Sequence, residues 1–213
     1  ERPELTQAIL EGRRNLLKSL DDPDLARFVE SFDKEKYNKN ASVAENILFG
    51  TPVGEEFSVE RLGENPYVLQ VLERVGLGEE FPEIGLRLAE TMLDLFRGLP
   101  PDHEFFERFG FIGSDDLPEF EAIIRRIGQG GVAKANDDDR ARLMALPFKL
   151  VQARHHLDLI DDEMEERLLA ARREFAANLP ADLVSAVEFF DVDEYNDAST
   201  IQDNILFGKR ASE

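Results

Sequence analysis

Two stretches hold side chains of the types that bind metal ions. His155-His156 stands beside Asp158, Asp161, Asp162 and Glu165, imidazole and carboxylate ligands of the kind zinc accepts. On a helix, Asp158 and Asp162 share a face, as do His155 and Asp158, which supplies two ligands where three or four are needed. Adjacent helical residues point about 100° apart, so both histidines cannot reach one ion. His103 is remote in sequence. The expectation is a solvated acidic face carrying one half-buried histidine. Asn136 followed by Asp137-Asp138-Asp139 offers carboxylates for calcium but lacks the alternating ligands, central glycine and terminal glutamate of an EF-hand. A helix N-cap with acids in its first turn accounts for it. There is no cysteine, which excludes disulfides and thiolate chemistry, and no Ser/His/Asp order stands out. No catalytic residue, cofactor site or metal site is assigned.

Charge narrows the partners. Lys and Arg number 25 against 45 Asp and Glu, a net charge of −20. A nucleic-acid backbone would be repelled, because binding it needs cationic side chains that displace counterions, and an anionic membrane surface is disfavoured for the same reason. No run approaches the roughly 20 apolar residues of a membrane-spanning helix. The sequence therefore reads as soluble, without direct membrane insertion. It begins at Glu1 and ends at Ser212-Glu213 shortly after a hydrophobic motif, and both ends read as cut from something longer.

Helical spacing dominates the elements that must position these residues. Pro3 sits in a first turn ahead of Leu5, Ile9, Leu16, Leu17 and Leu20. Asp22-Pro23 predicts a helix burying Leu25, Phe28, Val29 and Phe32, and Asn65-Pro66 one that Gly76 stops. Further stripes are Ile84/Leu88/Met92/Phe96, Leu117/Phe120/Ile123/Ile124/Ile127, and a long one from Leu150 through Ile160 and Leu168 to Phe175. Pro147 should end the helix begun at Asn136. Period-2 alternation is scarce, so the expected class is all-α: an irregular helical bundle. Phe105, Phe106, Phe109 and Phe111 crowd around Gly110 and Gly113; core packing is the default, and a docking patch is the functional alternative.

The clearest feature is an internal repeat. Residues 32–50 read FDKEKYNKNASVAENILFG and residues 190–208 read FDVDEYNDASTIQDNILFG, identical at nine of nineteen positions without a gap. A one-residue slip extends the likeness upstream, matching Ile9-Leu10 and Arg13-Arg14 to Leu168-Leu169 and Arg172-Arg173. Each copy is a helix, a second short helix, an Asx-rich loop and the NILFG segment. The bundle thus carries a duplicated helix–loop–short-helix unit at its two ends: residues 1–50, a helical insert over 51–165, and residues 166–213, taken together as one compact domain.

Local chemistry explains the repeat. Ser42-x-x-Glu45 is a capping box, which Thr200-x-x-Asp203 imitates with a shorter acid. Tyr37-Asn38 and Tyr195-Asn196 mark a turn before it. Asn46-Ile47-Leu48-Phe49 and Asn204-Ile205-Leu206-Phe207 then form a short helix too apolar to stand alone, with Gly50 and Gly208 expected as left-handed C-terminal caps. Docking of this helix is required, and Phe207 should lie near the first unit or be left exposed.

Thr200-Ile201-Gln202-Asp203-Asn204-Ile205-Leu206-Phe207-Gly208 resembles the T-I-x-x-N-I-L-F-G segment that follows the Q-loop in ATP-binding cassettes of ABC exporters, and Ser42–Gly50 is a looser copy. Val71–Leu77 and Glu83–Leu86 resemble the start of that family's helical subdomain. The departures are as informative. The phosphate-binding loop G-x-x-x-x-G-K-[ST] is absent, since Lys18-Ser19 follows Leu17 inside an amphipathic helix. Gly128-Gln129-Gly130-Gly131 shares letters but not order with the signature loop and is expected to be a flexible loop. Leu157–Glu163 resembles a Walker B strand only faintly, because Asp158 interrupts its apolar run. The resemblance implies a non-catalytic helical insert of a transporter's nucleotide-binding region, a cytosolic interaction or coupling element. ATP and Mg²⁺ would then belong to the parent protein alone. The implied partners are the remainder of that protein and its membrane domain, with a homodimer also allowed. The competing expectations are a stand-alone helical protein-binding module unrelated to ATP, and an enzyme using the His155/Asp158 region.

Overall fold

The computed structural model describes residues 2–211; Glu1 and Ser212-Glu213, read above as cut ends, lie outside them. The chain forms two compact units, one from residues 1–57 with 151–213 and the other from 58–150. In order, the elements are α1 (Arg2–Ser19), α2 (Pro23–Ala26), β1 (Val29–Ser31), α3 (Val43–Leu48) and β2 (Gly50–Pro52). Then follow α4 (Pro66–Arg74), α5 (Glu80–Phe96), α6 (Glu104–Phe109), α7 (Leu117–Ile127) and α8 (Asp137–Ala145). The last are α9 (Gln152–His155), α10 (Asp162–Ala177), β3 (Val187–Phe189), α11 (Ile201–Leu206) and β4 (Gly208–Arg210). The protein is therefore mostly helical but not purely all-α. The described residues also form two antiparallel pairs, β1 with β4 and β2 with β3, which show no alternation in sequence because three-residue strands are too short for it.

The middle unit follows its stripes. Asn65 caps α4 by accepting from the backbone N–H groups of Tyr67 and Val68, and Gly76 after the helix takes φ +75°. Ile84, Leu88, Met92 and Phe96 of α5 are buried, with α7 and α8 packed on that helix. Gly85 is obligatory, since a Cβ there would sit 1.9 Å from the Leu143 carbonyl oxygen. Asn136 accepts from Asp139 N–H, capping α8, which ends before Pro147 as expected. Of the phenylalanine cluster Phe111 is buried, while Phe105, Phe106 and Phe109 are half-buried, the Phe106 ring tilted against that of Phe96 at 4.2 Å. Residues 128–134, expected as a loop between helices, form 3₁₀ turns interrupted at Gly131.

The repeat-bearing unit corrects three helix expectations. After Asp22-Pro23 only one helical turn forms; the chain then enters β1, leaving Leu25 and Phe28 exposed. The long stripe from Leu150 to Phe175 is broken, because His156 and Asp158 adopt positive φ and the continuous helix begins only at Asp162. Gly50 and Gly208 are not the left-handed caps. Phe49 (φ 43°) and Phe207 (φ 44°) take that conformation, and the glycines open β2 and β4. The reason is steric: a Cβ on Gly50 would lie 2.6 Å from the Glu188 carbonyl oxygen, and one on Gly208 2.5 Å from that of Glu30. Close strand approach, not φ, selects glycine here.

Pairing within this unit is reciprocal. The strand before each Asx loop pairs with the strand after the other copy's NILFG, placing Glu30 opposite Lys209 and Thr51 opposite Glu188. Likewise α1 packs on α11, and α10 on α3. Phe32 N–H donates to the Phe207 carbonyl and Phe190 N–H to the Phe49 carbonyl, each at 2.9 Å. The two copies are thus exchanged halves of a pseudo-twofold pair, and each copy completes the other.

Candidate functional site

The site is the pair of pockets in which each copy holds the other's Asx loop and NILFG helix. In the first copy Ser42 caps α3 and the Glu45 carboxylate returns to the Ser42 N–H at 2.9 Å, a complete capping box. In the second, Thr200 accepts from Asp203 N–H, and the shorter Asp203 carboxylate takes the Thr200 hydroxyl at 2.7 Å. The following asparagine ties each helix to its loop. Asn46 accepts from Asn38 N–H (2.9 Å) and donates to the carbonyls of Asn38, Ala41 and Ser42. Asn204 repeats this with Asn196, Ser199 and Thr200. The turn asparagines donate back to the preceding strands, Asn38 to the Glu30 carbonyl and Asn196 to that of Glu188, both at 3.0 Å. Asx turns were expected; their connection to the strands through Glu30 and Glu188 was not.

An arginine from the partner helix closes each pocket. Arg172 of α10 donates Nε to the Asn46 carbonyl (2.7 Å), Nη2 to Asn46 Oδ1 (2.9 Å), and Nη1 to the carbonyls of Asp33, Lys34 and Lys36. Arg13 of α1 does the same toward Asn204, Asp191, Val192 and Glu194. Each guanidinium also lies over the left-handed phenylalanine it faces, 4.5 Å from the Phe49 ring and 4.7 Å from that of Phe207. Both arginines are buried, and every acceptor in these bonds is a carbonyl or amide oxygen without formal charge. Burial accordingly pulls the Arg172 pKa down to about 10 and that of Arg13 below its ordinary value, against the opposing pull of Asp33 and Glu35, and of Asp191 and Asp193. The planar five-donor fork is what permits one side chain to span loop, asparagine and helix end; lysine cannot.

Between the pockets lies an aromatic cluster. Phe32 stacks on its counterpart Phe190 at 4.2 Å and 11°, and both meet Phe49 and Phe207 edge-on. Phe207 is buried, packed near the first copy rather than exposed. Ile47 and Leu48 are fully buried, whereas Ile205 and Leu206 are only half-buried. The halves differ at their edges: the Glu45 carboxylate pairs with Lys209, while the equivalent contact on the other side is Thr51 Oγ1 to Ser199 Oγ at 2.6 Å. Tyr37 is buried with a hydroxyl that has no hydrogen-bond partner among the described residues, whereas Tyr195 is half-buried.

The residues once weighed for metal chemistry do not converge. His155 is buried on α9, its Nδ1 accepting from Val151 N–H at 2.9 Å, and Asp161 caps α10. Among the described residues no group of three or more His, Asp or Glu is placed to hold a metal ion, and no helix is long and apolar enough to cross a membrane. The segment from Leu157 to Asp161 is irregular rather than a strand, and Asp162 and Glu163 open α10. Sequence reasoning singled out every residue of the Asx–NILFG motif but assigned no role to Arg13 and Arg172. The signal for them was the one-residue slip that aligns the two arginine pairs. No protein-family model, curated protein or solved structure matches this chain.

Proposed function

We propose that this chain is a non-catalytic helical element of an ABC-type transporter's nucleotide-binding region, serving on the cytosolic side as an interaction or coupling element. The carrying observation is the reciprocal latch. The polar groups of the motif that resembles a cassette segment, Asn46 and Asn204 above all, are bonded to the other copy's arginine and to their own loops, not turned toward a ligand pocket. A duplicated segment used this way is a scaffold, and the residues between its copies form a separate helical unit. With no phosphate-binding loop in the sequence, the chain itself should not hold ATP.

The test is photo-crosslinking in the native host, with a crosslinking residue placed at exposed positions of the helical unit, such as Glu90 and Glu121. Coupling predicts adducts with an ATP-binding cassette or its membrane domain. Adducts confined to soluble proteins without a cassette would replace this reading with a stand-alone binding module. Calorimetric titration with Mg·ATP should give no heat of binding; micromolar affinity would refute the non-catalytic assignment.

A further inference from the structure

We propose that the two pockets accept the motif of a second copy of this chain as readily as their own, so that two chains exchange halves into a closed, twofold dimer. This does not depend on the likeness to ABC cassettes.

Three observations carry it. First, the surfaces are interchangeable in kind. Each half presents an arginine, a strand edge and a phenylalanine, and each receives an Asx loop, an NILFG helix and a strand. The five-bond pattern of Arg172 on Asn46 recurs for Arg13 on Asn204, atom for atom. A half from another molecule therefore meets the same donors, acceptors and rings. Second, the halves are joined only through residues 58–150, which form a compact unit of their own. The covalent link raises the local concentration of the partner half without altering any contact in the interface. Third, the interface is reciprocal, so exchange between two chains satisfies both pockets in both molecules and closes with both strand pairs, β1 with β4 and β2 with β3, made in each half. Exchange then costs only the advantage of the tether; short flexible links reach an effective concentration on the order of millimolar, and this longer, folded connection gives a lower one.

The test uses the whole chain, whose sequence has no cysteine. Val29 lies directly opposite Arg210 across β1 and β4. Chains carrying Val29→Cys alone are mixed with isotope-labelled chains carrying Arg210→Cys alone, unfolded together in denaturant, refolded at concentrations from about 10 μM to about 1 mM, and oxidised. The Thr51→Cys and Glu188→Cys variants, opposed across β2 and β3, form an independent second pair should either variant of the first fold poorly. Exchange predicts a mixed-isotope disulfide joining positions 29 and 210 whose yield rises at least tenfold across that range, above a control mixed without unfolding. The double variant Val29→Cys/Arg210→Cys should close within one chain at low concentration. Refolded mixtures no richer in the mixed disulfide than the control, while the double variant closes, would overturn the proposal. Failure of both double variants to close would overturn it too, because the register on which it stands would be wrong.

Discussion

Replacing Arg172 by alanine tests the latch most directly. The guanidinium makes five hydrogen bonds to oxygens of Asp33, Lys34, Lys36 and Asn46. Residues 33–36 are exposed, so water can replace the lost donors there at small cost. Asn46 is buried; its Oδ1 would keep the Asn38 N–H, but its carbonyl would lose the charged donor it takes from Arg172. A buried acceptor left unsatisfied costs about 1–3 kcal/mol, and the contact with the Phe49 ring adds about 0.5–2 kcal/mol. Relief of the desolvated charge offsets part of this. The expected net loss is about 1–4 kcal/mol, the sum of these two terms less that offset. Urea unfolding followed by tyrosine fluorescence in a Tyr67→Phe background reads this unit, since Tyr37 and Tyr195 lie in it and Tyr67 in the other; the midpoint should fall with little change in slope. Arg13→Ala should behave alike. Arg173→Ala, at a half-exposed neighbour, should stay within about 0.5 kcal/mol. Arg172→Lys should recover only a minor part, because a point charge cannot replace the fork. If Arg172→Ala proved no worse than Arg173→Ala, the latch would not hold the halves together and the reasoning would fail.

Further outcomes follow from the same contacts. The Tyr37 phenol is held protonated well above its ordinary range, chiefly by burial and then by the nearby Glu165. Above the unfolded phenol's pKa of about 10, the unfolded chain loses a proton that the folded protein keeps, so stability is full below that pH and falls as pH rises beyond it. Tyr37→Phe should remove this alkaline slope in melts between about pH 10 and 11.5, and at neutral pH it should be neutral or stabilising, because the hydroxyl has no partner; an unchanged slope would contradict the assignment. Gly208→Ala and Gly50→Ala should each destabilise by about 1–3 kcal/mol through collision with the opposing strand. By contrast Gly12→Ala inside α1, whose added Cβ would meet Ile205 no closer than 3.9 Å, should stabilise by about 0.5–1 kcal/mol; thermal melts distinguish the two cases.

What the sequence determined by itself was local. Capping at Ser42, Thr200, Asn65 and Asn136 depends on a hydroxyl or amide two or three residues from the donors it accepts, and such short-range geometry is written in spacing. The duplication, including its one-residue slip, was equally legible, as were the amphipathic stripes of α5 and α7. Other features depended on contacts between distant residues. The second half of the helical pattern at Leu25–Phe32 became the strand Val29–Ser31 because β4, at the far end of the sequence, supplies its hydrogen bonds. The same distance hid the purpose of Gly50 and Gly208, whose missing side chains make room for the other copy's backbone. Arg13 and Arg172 were visible as aligned residues, yet nothing near them in sequence accepts their hydrogen bonds. Above all, the sequence showed two copies without showing which helix serves which motif. A short apolar helix must dock, but whether on its own copy or the other is decided only when the chain closes, because an interface built from two like halves offers the same chemistry to either.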